Sequence, residues 1–112
     1  MTKSAKRDAL LRGTLDMLIL RTLQWGPMHG HDIAKHIQRT TEEVLQVEHG
    51  SLYPALHRMT SDKWLRAEWG LTETKRKARF YAITPTGRRQ LEEEERRWDL
   101  LTRAVGKALR FA

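Results

Sequence analysis

EHGSLYPALHRMTSDKWLRAEWGLTETKRKARF, residues 48–80, reads as a short amphipathic helix, a strand, a basic loop and a second strand. Proline lacks an N–H, so Pro54 belongs in a first helical turn, where that donor would have had no partner. This places the helix start near Gly50-Ser51, with either residue able to cap. Leu52, Ala55, Leu56 and Met59 then recur at the spacing of one buried helix face. The opposite face carries Ser51, Tyr53, Pro54, His57, Arg58 and Ser61, with no acid before Asp62. Leu65, Ala67 and Trp69 alternate with Arg66 and Glu68, the period of a half-buried strand. Phe80-Tyr81-Ala82-Ile83 is the return strand. The connection between them, Gly70 to Lys77, is too long for a tight turn and dense in cations.

Upstream, Leu11, Leu15, Leu18, Ile19, Thr22 and Leu23 recur at spacings of three and four, predicting a helix from about Asp8 to Trp25 that Gly26-Pro27 ends. A second helix is expected over His31–Arg39, with Ile33, Ala34 and Ile37 buried. Thr40 to Val47 reads either as a helical turn or as an irregular connection, with Val44, Leu45 and Val47 expected inside. Downstream, Thr84-Pro85 supplies an N-cap and a first-position proline for a last helix running toward Phe111. Leu91, Trp98 and Val105 fall seven apart, as do Leu101 and Ala108, so this helix carries a partial pairing seam. Glu94 occupies the first d position, which weakens pairing near the helix start. The predicted fold is mainly α with a small β-hairpin wing: a winged helix-turn-helix plus a long C-terminal dimerisation helix. Residues 1–84 form the DNA-binding part and residues 85–112 the dimerisation helix, as one structural unit.

Charge supports the same reading. The chain has 112 residues and a formal net charge of +7. Lys3, Lys6, Arg7 and Arg12 against Asp8 leave residues 1–12 at +3, and six cations against Glu73 leave residues 71–89 at +5. Residues 13–70 carry −1 and residues 90–112 carry zero. An excess confined to an arm and one loop is a polyanion footprint rather than general solubility. The chain has no cysteine, which excludes disulfides, thiol catalysis and cysteine-ligated zinc. LDMLILRTL is the longest apolar candidate, but Asp16 and Arg21 interrupt it well short of the ~18 residues that cross a bilayer. A cytoplasmic protein is the expectation, with no membrane partner.

Three stretches carry a family resemblance. LRGTLDMLILRTLQWGPMHGHDIAKHI resembles the first two helices of the PadR family of bacterial transcriptional regulators. HGSLYPALHRM is similar to its recognition helix, and KARFYAITPTGRRQL to its second wing strand and the opening of its C-terminal helix. The short length resembles the small subgroup with a single dimerisation helix. The resemblance implies homodimers that bind operator DNA, mostly repress, and release DNA when a small molecule binds. His31 stands where the family often has tyrosine.

The outer face of the third helix is the first candidate for DNA contact, because a major groove admits one helix and bases are read there through their edges. Arg58 is expected to reach guanine, His57 to donate or accept, Tyr53 to reach a phosphate or base, and Ser51 to meet phosphate beside Pro54. Lys75, Arg76, Lys77 and Arg79 form a wing cluster suited to backbone or minor-groove contact. Lys3, Lys6, Arg7 and the second-helix residue His31 are weaker DNA candidates. The bland alternative for each is a solvated polar face, or for Tyr53 a ring packed back on the core.

Leu91, Trp98, Leu101, Val105 and Ala108 are the expected dimer contacts. A seam tryptophan is ordinarily packing. In the family's small drug-sensing members a tryptophan of this helix stacks on flat aromatic compounds, so the resemblance adds Trp98 as a ligand candidate. Trp25, Trp64 and Trp69 read as core or hairpin anchors. His29, His31 and His36 lie close in sequence, but a metal site needs more convergent ligands, so neither metal nor cofactor is expected. Glu92–Glu95 followed by Arg96-Arg97 reads as a self-paired solvated face rather than an acid/base pair, and no catalytic constellation is present. The leading expectation is a homodimeric repressor on an inverted-repeat operator, released by a small aromatic effector. The rival is a dimeric small-molecule binder whose DNA binding is weak or vestigial.

Overall fold

A computed structural model of the chain describes residues 3–111, with side chains described for residues 13–110. Helix α1 spans Lys3–Thr22 and tightens into a 3-10 turn, Leu23–Trp25. Gly26, at φ 136°, sits in backbone space that side-chain-bearing residues rarely enter, and its N–H bonds back to the Leu23 carbonyl at 3.2 Å. Strand β1 (Met28–His29), helix α2 (Gly30–Thr40) and helix α3 (His49–Ser61) follow. Strands β2 (Leu65–Leu71) and β3 (Lys77–Ile83) lead to helix α4 (Pro85–Phe111). Among the described residues no helix is long and apolar enough to cross a membrane.

The core is what the periodicity requires. Leu15, Ile19, Leu20 and Leu23 of the first segment meet Ile33, Ala34 and Ile37 of α2 and Leu52, Ala55, Leu56 and Met59 of α3. Each large side chain among them contributes about 1.5–3 kcal/mol by leaving water. Thr84 fastens α4 as the cap expected of it. Its Oγ1 accepts from the Gly87 N–H at 3.0 Å and donates to the Lys63 carbonyl at 2.6 Å. Gly87 lies so close to the β2 entry that a Cβ there would come 2.2 Å from the Trp64 carbonyl oxygen.

Several expectations change. The sheet has three strands in the order β1-β3-β2, because Met28 and His29 pair with Tyr81 and Phe80. The hairpin is longer and its loop shorter than expected: Gly70, Leu71 and Lys77 are paired strand residues, and only Thr72–Arg76 turns. The α3 helix begins at His49, so Pro54 lies inside it rather than in its first turn. The first turn forms because the Glu48 carbonyl accepts from the N–H groups of Ser51 and Leu52, so neither Gly50 nor Ser51 is the cap.

Four apolar expectations also shift. Trp25 is 80 % exposed, since the tighter 3-10 turn rotates it off the α1 face that buries Leu23. Val44 is exposed because Glu42 and Glu43 both take left-handed backbone, at φ 52° and 66°, and turn the chain outward before Val47 re-enters the core. Trp69 is exposed one rung beyond the buried Tyr81, whereas Trp64 packs on the core as an anchor. Leu91, expected at a subunit seam, is 1 % exposed within its own chain. It belongs to the same cluster as Leu15 and Ile19, so it ties α4 to the core and is closed to a partner.

Candidate nucleic-acid interface

Helix α3 displays His49, Tyr53 and His57 one turn apart along its outer face, each exposed. Pro54 stands exposed beside Tyr53, and Ser51 is half-buried. The Tyr53 ring leaves solvent on one side by lying on Gly30, where a Cβ would come within 2.8 Å of the ring. Gly30→Ala is therefore expected to push Tyr53 off α2 at a cost of about 1 kcal/mol, because the obstructing atoms end a side chain that can swing. A denaturant titration measures that cost, and a change in the Tyr53 ring's proton shifts reports the displacement.

Tyr53 begins a row of rings that runs from α3 to the wing. His49 meets Tyr53 edge-on at 5.4 Å and His31 at 6.3 Å. His31 stacks parallel to His29 at 6.3 Å, and His29 meets Phe80 edge-on at 5.5 Å. Asp32 steadies this row, its Oδ2 lying 3.2 Å from His29 Nε2, in the first turn of α2 where a carboxylate suits the helix dipole. Phe80 in turn covers Gly70 on the neighbouring strand, where a Cβ would come 2.9 Å from the ring. Ring contacts thus run from α3 across α2 and β1 to the wing. All five histidines of the chain, 29, 31, 36, 49 and 57, lie on α2, α3 or the strand before them. Among the described residues no three His, Asp or Glu side chains converge to hold a metal ion.

Between α2 and the wing lies an open groove of about 920 Å³ that brings together four of the expected contacts: Tyr53, His31, Arg76 and Lys77. Lys35, His36 and Arg39 of α2 line it as well, with Asp32 and Glu73 as its acids. Of the exposed α2 side, the sequence reading named His31 as a DNA candidate but not the cations Lys35 and Arg39. His31, Lys35 and Arg39 recur every four residues, and that polar stripe was the available signal. Lys75 sits at the exposed loop tip in left-handed backbone, φ 62°, where Lys75 N–H and Arg76 N–H both bond to Thr72. Arg79 is a residue of β3. Burial pushes the Tyr81 phenol above its usual range, with Arg79 opposing the shift, so Tyr81 stays a neutral core group beneath the wing.

Arg58 departs most from expectation. Its guanidinium makes two hydrogen bonds to Asp16 of α1, Nη1 to Oδ2 at 2.8 Å and Nη2 to Oδ1 at 2.7 Å. The Asp16 hydrogen bond raises the Arg58 pKa further above its already high value. This two-pronged contact takes one donor from each terminal nitrogen and fixes the guanidinium against α1, so the Arg58 side chain is directed to Asp16 as well as toward solvent. The seam residues divide by burial. Leu91 is interior, whereas Trp98, Leu101, Val105 and Ala108 are exposed along one side of α4, flanked by exposed Leu100 and Leu109. The side chains of Lys3, Lys6, Arg7 and Arg12 lie outside the described residues.

The model of the Transcriptional regulator PadR-like family matches residues 19–93. A transcriptional regulator of Mycobacterium tuberculosis is 32% identical over 94 residues, covering 84% of this chain and 84% of that one. The crystal structure of a PadR family transcriptional regulator from Eggerthella lenta superposes with a TM-score of 0.79 at 33% identity, covering 97% of this chain and 93% of that one. Bacillus subtilis PadR, a negative transcriptional regulator solved in complex with operator DNA, shares the fold at a TM-score of 0.63. That match is 24% identical and covers 70% of this chain and 45% of that one.

Proposed function

The chain belongs to the PadR-like family of transcriptional regulators, and from that premise we propose that it is a homodimeric repressor that binds an inverted-repeat operator in the cytoplasm. The observation that carries this reading is the joint display of Tyr53, His31, Arg76 and Lys77 around one groove flanked by the outer face of α3. In this reading α3 enters a major groove and presents His49, Tyr53 and His57, while Ser51 in its first turn meets the backbone and Pro54 lies beside Tyr53 against the duplex. The wing contributes Lys75, Arg76, Lys77 and Arg79 to phosphates and the adjoining minor groove. His31 and the α2 cations take the phosphates between. Lys3, Lys6 and Arg7 add to the positive charge of the chain. Arg58 acts from behind, holding α3 against α1 through Asp16 rather than reading a base.

The apolar strip of α4 supports pairing with a second copy, since a row of exposed Trp98, Leu101 and Val105 on one helix marks an interaction face. Effector control is then a shift between two arrangements of the pair. A flat aromatic compound stacking on Trp98 must bind the arrangement that misplaces the two α3 helices more tightly than the one that fits DNA. The repressor reading is supported by B. subtilis PadR, a negative regulator that binds operator DNA. The rival reading, a small-molecule binder with vestigial DNA contact, has the same Trp98 in its favour but leaves the groove cations without a task.

A gel shift with the duplex upstream of the chain's own coding region separates the two. The repressor retards that duplex in the presence of excess competitor DNA; the rival does not. The wing's part has its own readout. Arg76→Ala is expected to lower the slope of log affinity against log salt by about 0.9 and to weaken every duplex about fivefold at physiological salt. An unchanged slope in fluorescence anisotropy removes Arg76 from the footprint.

A further inference from the structure

Trp69 has no task in the reading above, and its surroundings assign it one. The β2–β3 register pairs Leu65 with Ile83, Ala67 with Tyr81, Trp69 with Arg79 and Leu71 with Lys77, so these eight residues share one face of the hairpin. The first two rungs lie against the core. At the third the core ends, and Trp69 remains 63 % exposed. An indole serving only to anchor the hairpin would be covered. This one is covered by charge instead: the Lys77 ammonium lies 5.3 Å and the Arg79 guanidinium 5.5 Å from the ring centroid.

Both cations sit within the range in which the negative face of an indole attracts positive charge. Lys77 and Arg79 are two residues apart on one strand, about 7 Å, and would repel each other if left alone. Arg58, Arg66, Arg96, Arg97 and Arg103 are all paired with carboxylates, whereas among the described residues neither Lys77 nor Arg79 has an acidic partner. Their charge is thus held in place by a neutral ring and left unneutralised.

We propose that Trp69 is the positioning residue of the wing: its ring holds Lys77 and Arg79 as a spaced pair and delivers them together to the phosphate backbone of duplex DNA, with the indole itself in the interface. The proposal rests on the DNA-binding reading but can fail alone. Trp69→Leu keeps an apolar side chain on the rung and removes the ring face; Trp69→Phe keeps a ring. Each full-length variant is titrated against a fluorescein-labelled mixed-sequence duplex at several salt concentrations, with thermal melting alongside.

Trp69→Leu is expected to bind roughly three- to tenfold more weakly whatever the sequence, with a shallower salt slope and an unchanged melting temperature. Trp69→Phe recovers most of the affinity. The intrinsic fluorescence change on adding duplex to the natural chain should be largely lost in Trp69→Phe. Wild-type affinity and slope in Trp69→Leu would overturn the proposal. So would weak binding that follows a lowered melting temperature and is not rescued by phenylalanine, since that is a hairpin anchor's behaviour. A natural chain that binds no duplex would remove the DNA-binding reading and this proposal together.

Discussion

Glutamate at both Leu101 and Val105 is expected to yield folded monomers by light scattering, with operator affinity lowered at least about a hundredfold. The two side chains sit on the exposed strip of α4, beyond Leu91, the seam-period residue that belongs to the core. Substitution there leaves the monomer's own packing intact, so the melting of the winged domain should hold. In a paired molecule the two glutamates would bring four carboxylates into an apolar seam, and removing charge from water without a partner costs several kcal/mol each. Once the pair separates, each half-site is met singly, and the gain from a tethered second half-site, on the order of 10²–10⁴, is lost. A variant that stays dimeric would move the interface off this strip. A monomer with wild-type affinity would remove the need for two copies.

Arg58→Ala is expected to destabilise the fold by about 2–3 kcal/mol in urea denaturation while leaving base preference unchanged. The asymmetry of the pair sets the size. The Asp16 side chain is 12% exposed and that of Arg58 41%. Truncating the arginine strands a largely buried carboxylate, whereas Asp16→Ala leaves a guanidinium that can turn to water, so the aspartate variant should lose less, about 1 kcal/mol. The value for Arg58→Ala lies below the range for fully buried pairs because the arginine is partly solvated. Arg58→Lys should fall between, since an ammonium cannot make the two-pronged contact. Wild-type stability with relaxed operator choice would return Arg58 to the base-reading role its position on α3 suggested.

Arg58 marks where sequence reading stops. Its placement on the outer half of α3 follows from the spacing of Leu52, Ala55, Leu56 and Met59, and that spacing is local. Its partner is 42 residues away, and no periodicity within either helix couples Asp16 to it. Leu91 fails for a related reason: a heptad position is apolar whether it meets the same chain or another, and only the fold decides which. The two-residue β1 is too short to carry an alternation, so the third strand was invisible although the residues it pairs with were assigned correctly. Positions governed by local chemistry were legible. Thr84 caps α4 as its neighbour Pro85 implied, and Gly26-Pro27 closes the first helical segment. The cation excess of the wing was legible as composition. Its arrangement around Trp69 depends on cross-strand register and was not.

The most direct test is a hydroxyl-radical footprint of the full-length chain on its upstream region. A pair of winged domains with α3 in successive major grooves should protect two symmetric patches about one helical turn apart, 34 Å centre to centre, over an inverted repeat. Protection should vanish with the Leu101 and Val105 glutamate substitutions. A single patch, or uniform protection that follows no sequence, would contradict the proposed dimeric operator-binding regulator.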